Sequence, residues 1–519
     1  MRISTYFGVA QQSSGVRGRL MSAGYAALLV ALFIHSTAGA QYAAPVIDPG
    51  FNFGYTLEDR FAGSASSDYA AQRIARLSNG DVVVAGMVPI AYGSAGRNLG
   101  LVRYDQTGGR VAWSDPTPTY ASYLNRYISY PNNGVDNFIR VTGISVSGSR
   151  IYVQLDKSLG GGDVDSRIVA FSDAGQFIGE YGAFTTALSE YGAGIATYAY
   201  QFVPGVFNRR LIAVATYTNG GGRRVITIKR FAIASDGTLS VDTSFGPYAN
   251  GANDIPFPDI ACQQLTQCSG IATDVAIVGT DTARPRVYLA AENVIDGVAD
   301  LRPALVGIDG QTGNTLTDFG VGGVYFPSGF AVSMAATLPP RIAALAVDSG
   351  PDAGSDRIYA KWSGNSGGGE FALIQRFNAA PDTGSVALDT AFGYQGAWNL
   401  GCCLEAGGLA VEGDTVALVG NIRTILDDGN TKQYFYDPFV LLVHGEHNGF
   451  FLKHEALRAD NGTRWGDLTW FDVIGAGTGD SSFIATGQLH DVASGTNTVQ
   501  FGTLRYAAKY DVIFSNGFQ

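Results

Sequence analysis

"GTLSVDTSFG", residues 237–246, returns as "GSVALDTAFG" at residues 384–393. The two decapeptides share a leading Gly, a pair of aliphatic residues, Asp-Thr and Phe-Gly, and they lie 147 residues apart. Reading outward from them exposes a longer unit. A short apolar run after a turn occurs seven times: "DVVVAG" (81), "RIYVQL" (150), "RLIAVAT" (210), "RVYLAA" (286), "RIYAKW" (357), "DTVALVG" (414) and "SFIATG" (482). Their first apolar residues are Val82, Ile151, Leu211, Val287, Ile358, Val416 and Phe483, at a mean interval near 67 residues. A fixed period of this size marks a repeat architecture.

Other segments keep constant offsets from these runs. An extended stretch precedes each, as in "YAAQRIARL" (69–77) or "FIRVTGISV" (138–146). A third follows, as in "GLVRY", "RIVAF", "ITIKRF" and "FALIQRF", and turns such as "DQTGG" or "SDGT" lead to a fourth, of which "LSVDTSFG" is the clearest. Gly-containing turns between β-rich runs signal hairpins. No stretch of ten residues holds a 3.6-residue apolar period, so helices should be scarce. Four strands per unit and seven units describe an all-β fold, a seven-bladed β-propeller of four-stranded antiparallel blades, each covering its neighbour's apolar face. Phe245 and Phe392 are then equivalent residues two blades apart. The ring is expected to pack between blades, and the following glycine to permit the turn into the next blade.

A propeller must join its first and last blades or leave an unpaired edge. The segment "VIDPGFNFG" (46–54) precedes the first strand, and its Asp48-x-x-Phe51 echoes Asp242-x-x-Phe245. The last repeat has a good third strand, "GTLRY" (502–506), and a poor fourth. Val46 to Phe53 is therefore expected to supply, or add to, the outer strand of blade seven, closing the ring.

The order apolar strand, turn, "VVVAG", loop, "LVRY", turn, "LxxDTSFG" resembles the delta-60 repeats of bacterial secreted β-propeller proteins. The likeness covers residues 45 to about 510 and is strongest in repeats one, three and five. It implies an extracellular propeller and no particular reaction. The tail, "DVIFSNGFQ" (511–519), resembles short endings of some Gram-negative secreted proteins.

Composition agrees with this class. Glycine is 69 of 519 residues, about twice the usual share, and charged residues are only 15%. Residues 1–40 differ from the rest: Arg17 and Arg19 precede the uncharged "LMSAGYAALLVALFI" (20–34), and Ala38 and Ala40 form an A-x-A site before Gln41. That pattern is a secretory signal peptide, with cleavage expected after Ala40 and the mature protein secreted or periplasmic. The propeller then runs over 41–510, followed by the short tail. Cleavage removes three arginines and no acids, which moves the net charge from −11 to −14. An acidic surface repels phosphate backbones, so nucleic acid is excluded as a partner. No later segment is long enough for a membrane helix, and a monomer is expected.

Motifs for chemistry are sparse. His444, His447 and His454 cluster in "HGEHNGFFLKH", but with Asn448-Gly449 as a two-residue turn, Val443 faces His454, and His444 points to the opposite face. No metal site is expected there. "GGGDVD" (160–165) and "DDGN" (427–430) lack the ligand pattern of calcium loops and read as turns. No G-x-S-x-G elbow occurs, and no catalytic residue or cofactor is assigned.

Four cysteines in an exported chain suggest two disulfides. Cys262–Cys268 and a vicinal Cys402–Cys403 bond are favoured over the other connectivities; two unbonded small side chains remain the alternative at Cys402 and Cys403. A vicinal bond closes a stiff, strained ring, and such strain often marks a binding surface. That ring, with "IDGQTGNTL" (308–316), also resembles the quinoprotein alcohol dehydrogenases, although the terminal tryptophan of their blade motif is absent. Trp362, Trp398, Trp465 and Trp470 map near the face shared by the D–A and B–C loops, where aromatic platforms suit sugar rings or protein surfaces. Two functions follow. The favoured one is a binding or interaction module for a glycan or a protein surface, using Trp362, Trp398, Cys402, Cys403, Trp465 and Trp470. The alternative is an extracytoplasmic enzyme, glycoside-acting or quinoprotein-like, with its site in the central funnel.

Overall fold

The seven apolar runs form the second strand of each of seven sheets. In blade one, every residue of Val82–Pro89 is buried. Such a run has no polar face because both faces of the blade are covered. Val83, Ala85 and Met87 pack toward Phe138, Val141, Val153 and Leu155 of blade two. Val82, Val84 and Val88 pack instead with Ala476 and Ile484 of blade seven. Five further apolar clusters fill the remaining interfaces in order around the ring.

This computed structural model describes residues 46–47, 57–59 and most of 70–507. Residues 1–45, 48–56, 60–69, 256–267, 327–342, 455–467 and 508–519 lie outside the described residues, as do several shorter loop stretches. Each sheet is antiparallel, with its first three strands in chain order from strand A outward. The outer edge departs from that order in blade one, where Tyr127–Tyr130 lies inside Ala121–Ser122, and in blade seven, where it comes from the start of the chain. Blade three, for example, orders Glu190–Val203, Val206–Thr218, Arg224–Ile233 and then a broken outer edge of Leu239–Val241 and Ala252–Ile255. The seven A strands are Ala70–Arg76, Asn137–Ser147, Glu190–Val203, Cys268–Val278, Ala343–Ser349, Leu404–Glu412 and Leu468–Gly475. Each touches the A strands of the blades on either side, the first touching the last, so they surround the axis. The seven-bladed β-propeller expected from the repeat is the fold. Among the described residues there is no helix, and none long and apolar enough to cross a membrane.

The repeated decapeptide builds one device. Arg230, on the third strand of blade three, donates from Nε to Asp242 Oδ2 at 3.0 Å and stands 4.7 Å over the Phe245 ring. Arg376 does the same in blade five, at 2.8 Å from Asp389 and 5.0 Å from Phe392. Arg230 also donates from Nη1 to the carbonyls of Gly310 and Gln311, both at 2.7 Å, in the hairpin of blade four. Arg103 reaches Asp173 O of blade two at 2.8 Å in the same manner. The glycine works differently from the expectation. Gly246 has φ +71°, and a Cβ there would fall 2.6 Å from Ala252 O. It turns the chain back along the outer edge of its own blade, where Ala252–Ile255 pairs with Ile226 to Lys229.

Ring closure follows the same plan. Val46 and Ile47 pair with Ala507 and Tyr506 on the third strand of blade seven. Leu57–Asp59, not anticipated as a strand, pairs with Thr503, Gly502 and Phe501. These two pieces reproduce the broken outer edge of blades three and five. Arg505 then donates from Nη1 to Gln106 O of blade one at 2.6 Å, tying the last blade to the first.

Candidate functional site

The axial strands share an irregularity that positions their polar side chains. Strand A carries a β-bulge in blades one, two, three, four, six and seven. A bulge leaves one residue unopposed and re-aims its neighbours. In blades one, two, three, four and seven the residue just after it pairs with Ala85, Gln154, Val214, Ala290 and Thr486, the fourth position of each apolar run. Aligned there, the seven A strands read QRIA, TGIS, AGIA, TDVA, AALA, GGLA and FDVI, starting at residues 72, 142, 193, 273, 343, 407 and 471. Arg73, Gly143, Gly194, Asp274, Ala344, Gly408 and Asp472 are therefore equivalent positions around one level of the axis.

At this level each blade meets the backbone of the next. Where glycine stands, the strands touch directly: a Cβ on Gly143 would lie 2.7 Å from Ile195 N, and one on Gly408 2.7 Å from Val473 N. Where aspartate stands, its carboxylate joins the two strands. Asp274 Oδ2 accepts Leu345 N–H of blade five at 2.8 Å, and its Oδ1 accepts its neighbour Val275 N–H at 2.8 Å. Asp472 Oδ2 accepts Ile74 N–H of blade one at 3.1 Å, with Oδ1 on Val473 N–H at 3.0 Å. Burial pushes Asp274 up to about 6, opposed by these N–H bonds and by Arg73, and aided by the charge of Asp472. Burial raises Asp472 as well, against the pull of Arg73. Every oxygen of the two carboxylates holds a backbone amide, which suits them to joining strands.

Blade one departs from the pattern. Its staple is Gln72, whose Oε1 accepts Val141 N–H of blade two at 2.7 Å. That leaves Arg73 at the position aspartate holds elsewhere. Its Nε donates to Thr142 O at 3.0 Å and its Nη1 to Gln72 O at 2.8 Å, and no carboxylate of the described residues forms an ion pair with it. Arg140 of blade two, by contrast, is paired with the buried Asp156 at 2.7 Å, whose Oδ1 accepts Gly192 N–H of blade three at 2.7 Å.

The residues singled out from sequence are scattered over this frame. Trp362 is 1% exposed in the core between blades four and five, with Nε1 donating to Gln375 Oε1 at 2.8 Å. It is a packing residue and offers no surface to a ligand. Trp398 lies on the outer edge of blade five, opposite Ile374, and packs partly buried against the next interface. Trp470 sits on strand A of blade seven, two residues before Asp472 and opposite Gly487. Cys268 begins strand A of blade four, opposite Ile295, and Cys402 ends the outer edge of blade five, opposite Phe371. Trp465, Cys262 and Cys403 lie outside the described residues.

The histidine hairpin is wider than expected, with Val443 opposite Phe450 and Phe439 opposite His454. Residues 445–449, His447 included, lie outside the described residues. His444 and the partner of His454 are five residues apart along one strand, about 16 Å at the usual rise. Among the described residues no group of three His, Cys, Asp or Glu side chains could hold a metal ion.

No protein-family model and no curated protein sequence matches the chain. Similar solved structures include the WD40 domain of SCAP from fission yeast, at 9% identity and TM-score 0.37, covering 88% of this chain and 99% of that one. Drosophila Semaphorin 2a aligns at 6% identity and TM-score 0.40, covering 90% and 76%. The α-L-arabinofuranosidase ARB93A from Fusarium graminearum aligns at 10% and 0.34, covering 76% and 97%. Likeness at this level concerns architecture and carries no functional argument.

Alignment on the apolar runs alone hides the axial level; its signal in the sequence is the residue before each aliphatic in QRIA, TDVA and FDVI.

Proposed function

We propose that this chain is an exported propeller of the delta-60 repeat type that works as a binding or interaction module. The observation that carries this reading is the commitment of Asp274 and Asp472, the two carboxylates at this axial level among the described residues, to backbone amides on each of their oxygens. General acid–base or nucleophilic work on a glycoside needs a carboxylate free to move a proton or attack. These two are held as staples between blades. The signal sequence at residues 1–40 supports export, with the mature protein acting outside the cytoplasm. Of the residues named from the sequence, Trp398, Trp465, Trp470, Cys402 and Cys403 are the ones this reading assigns to contact with a glycan or a protein surface.

The test compares Trp398→Ala and Trp470→Ala with the wild-type protein on glycan and protein arrays. Trp470→Ala should weaken capture at least several-fold with an unchanged melting temperature, whereas Trp398→Ala, packed against the interface of blades five and six, should also lower it. If Trp470→Ala instead loses several kcal/mol of stability, as truncated core aromatics do, it is a packing residue and the face is not the site.

A further inference from the structure

We propose that Arg73 receives the carboxylate of a sugar acid at the axis of the ring. This rests on the binding reading above and names its ligand class. Arginine has five N–H donors in a planar fork suited to bidentate recognition of a carboxylate. Two atoms of the Arg73 fork, Nε and Nη1, already donate to Thr142 O and Gln72 O, which fixes the guanidinium plane. The remaining donors, those of Nη2 among them, have no acceptor among the described residues.

This openness is a departure from the repeat. The equivalent positions carry glycine, alanine or an aspartate that staples the next blade. Blade one moves the staple to Gln72, so the fold does not require a charged residue at position 73. The blade-body arginines 103, 140, 167, 210, 230, 286 and 376 are all ion-paired. A residue that breaks local consistency without a structural gain marks function.

The surroundings narrow the ligand. Asp274 and Asp472 lie within electrostatic reach of Arg73, and each carboxylate oxygen has a second lone pair beyond its amide contact. Those lone pairs accept hydrogen bonds from hydroxyl groups. Gln72 Nε2 adds a donor. One fixed cation for a carboxylate, ringed by acceptors for hydroxyls, fits a polyhydroxy acid better than a neutral sugar or a simple anion. Simple anions would meet the two aspartates with nothing to offer them.

Isothermal titration of the mature chain with trigalacturonic acid and with its methyl ester provides the test. The acid should bind the wild-type protein, and the uncharged ester at least tenfold more weakly. Arg73→Gln should lose at least tenfold for the acid, and Arg73→Lys should fall between, with both variants shown folded by their melting transitions. Equal binding of acid and ester, unchanged affinity in Arg73→Gln, or no binding of the acid to the wild type each overturns the proposal. A neutral glycan or protein that binds wild type and Arg73→Gln alike, but not Trp470→Ala, would overturn it while leaving the binding module intact. Trp470→Ala that binds every array ligand normally would count against the module's aromatic face and not against Arg73.

Discussion

Phe245 lies under the Arg230 guanidinium, and the ring also approaches Gly313 of the next blade, where a Cβ would stand 3.1 Å from it. Asp242 holds the arginine in place from the other side, through Nε. Its own carboxyl is kept below the usual range by Ser244 and by the Arg230 and Arg210 charges, although burial opposes them. The three residues form a single clamp in blades three and five. Phe245 is wholly buried, and Phe245→Ala should destabilise the protein by about 3–5 kcal/mol, read as a lower urea midpoint. Phe392→Ala should cost a similar amount, since Tyr359 and Arg376 enclose its ring in the same way. A loss under about 1 kcal/mol at both sites would show that the clamp is not a stabilising contact.

The ring-closing segment is the element on which the most nonlocal pairing depends. Val46, Ile47 and Leu57 to Asp59 supply the outer edge of a strand more than 440 residues away in the chain. Without them, Thr498–Ala507 would present unpaired amides and carbonyls to solvent, an invitation to association. Compared with a chain beginning at Gln41, one beginning at residue 60 should have a lower melting temperature, a broader transition and more oligomer on size exclusion. An equally sharp transition at the same temperature would mean that blade seven is complete with three strands. Strand A bulges act at the other radial end of the blades, bringing Arg73, Asp274 and Asp472 to one height.

At the scale of the whole ring, the axial acids set a pH dependence of unusual sign. Asp274 titrates near 6 in the folded chain, above the about 3.9 of an unfolded aspartate. The folded state therefore binds the proton more tightly between those values, and stability falls as pH rises from about 4 to 6, then levels. Asp472, Asp156 and Glu190 are raised by burial too and act in the same direction. The melting temperature should accordingly be higher at pH 5 than at pH 7.5. Asp274→Asn, which cannot titrate, should show a smaller rise over that interval. A wild-type melting temperature that falls on acidification to pH 5, or an identical rise in the variant, would refute the assignment.

Period and turn chemistry alone determined the propeller, its seven blades and the use of an N-terminal strand to close it. Those features are legible because every blade repeats the same local pattern of apolar run, Gly turn and Asp-Thr-x-Phe-Gly. Asp48-x-x-Phe51 carries that pattern even where it stands apart from its blade. Local pattern also drew attention to the tryptophans, but hydrophobic residues give no sign of whether their neighbours cover them. Trp362 is enclosed by residues from blade four, and only the packed ring shows it. The hairpin at His444 misled for a similar reason, since Asn448-Gly449 suggests a tight turn while strand register is set by pairing over the full length of 432–444. The axial level is the clearest case of what tertiary structure decided. Arg73, Asp274 and Asp472 are separated by about two hundred residues each along the chain, and bulges in strands from different blades bring them to one height around the axis. Whether a charged side chain there is a staple or an open donor depends on which backbone amide the next blade presents to it.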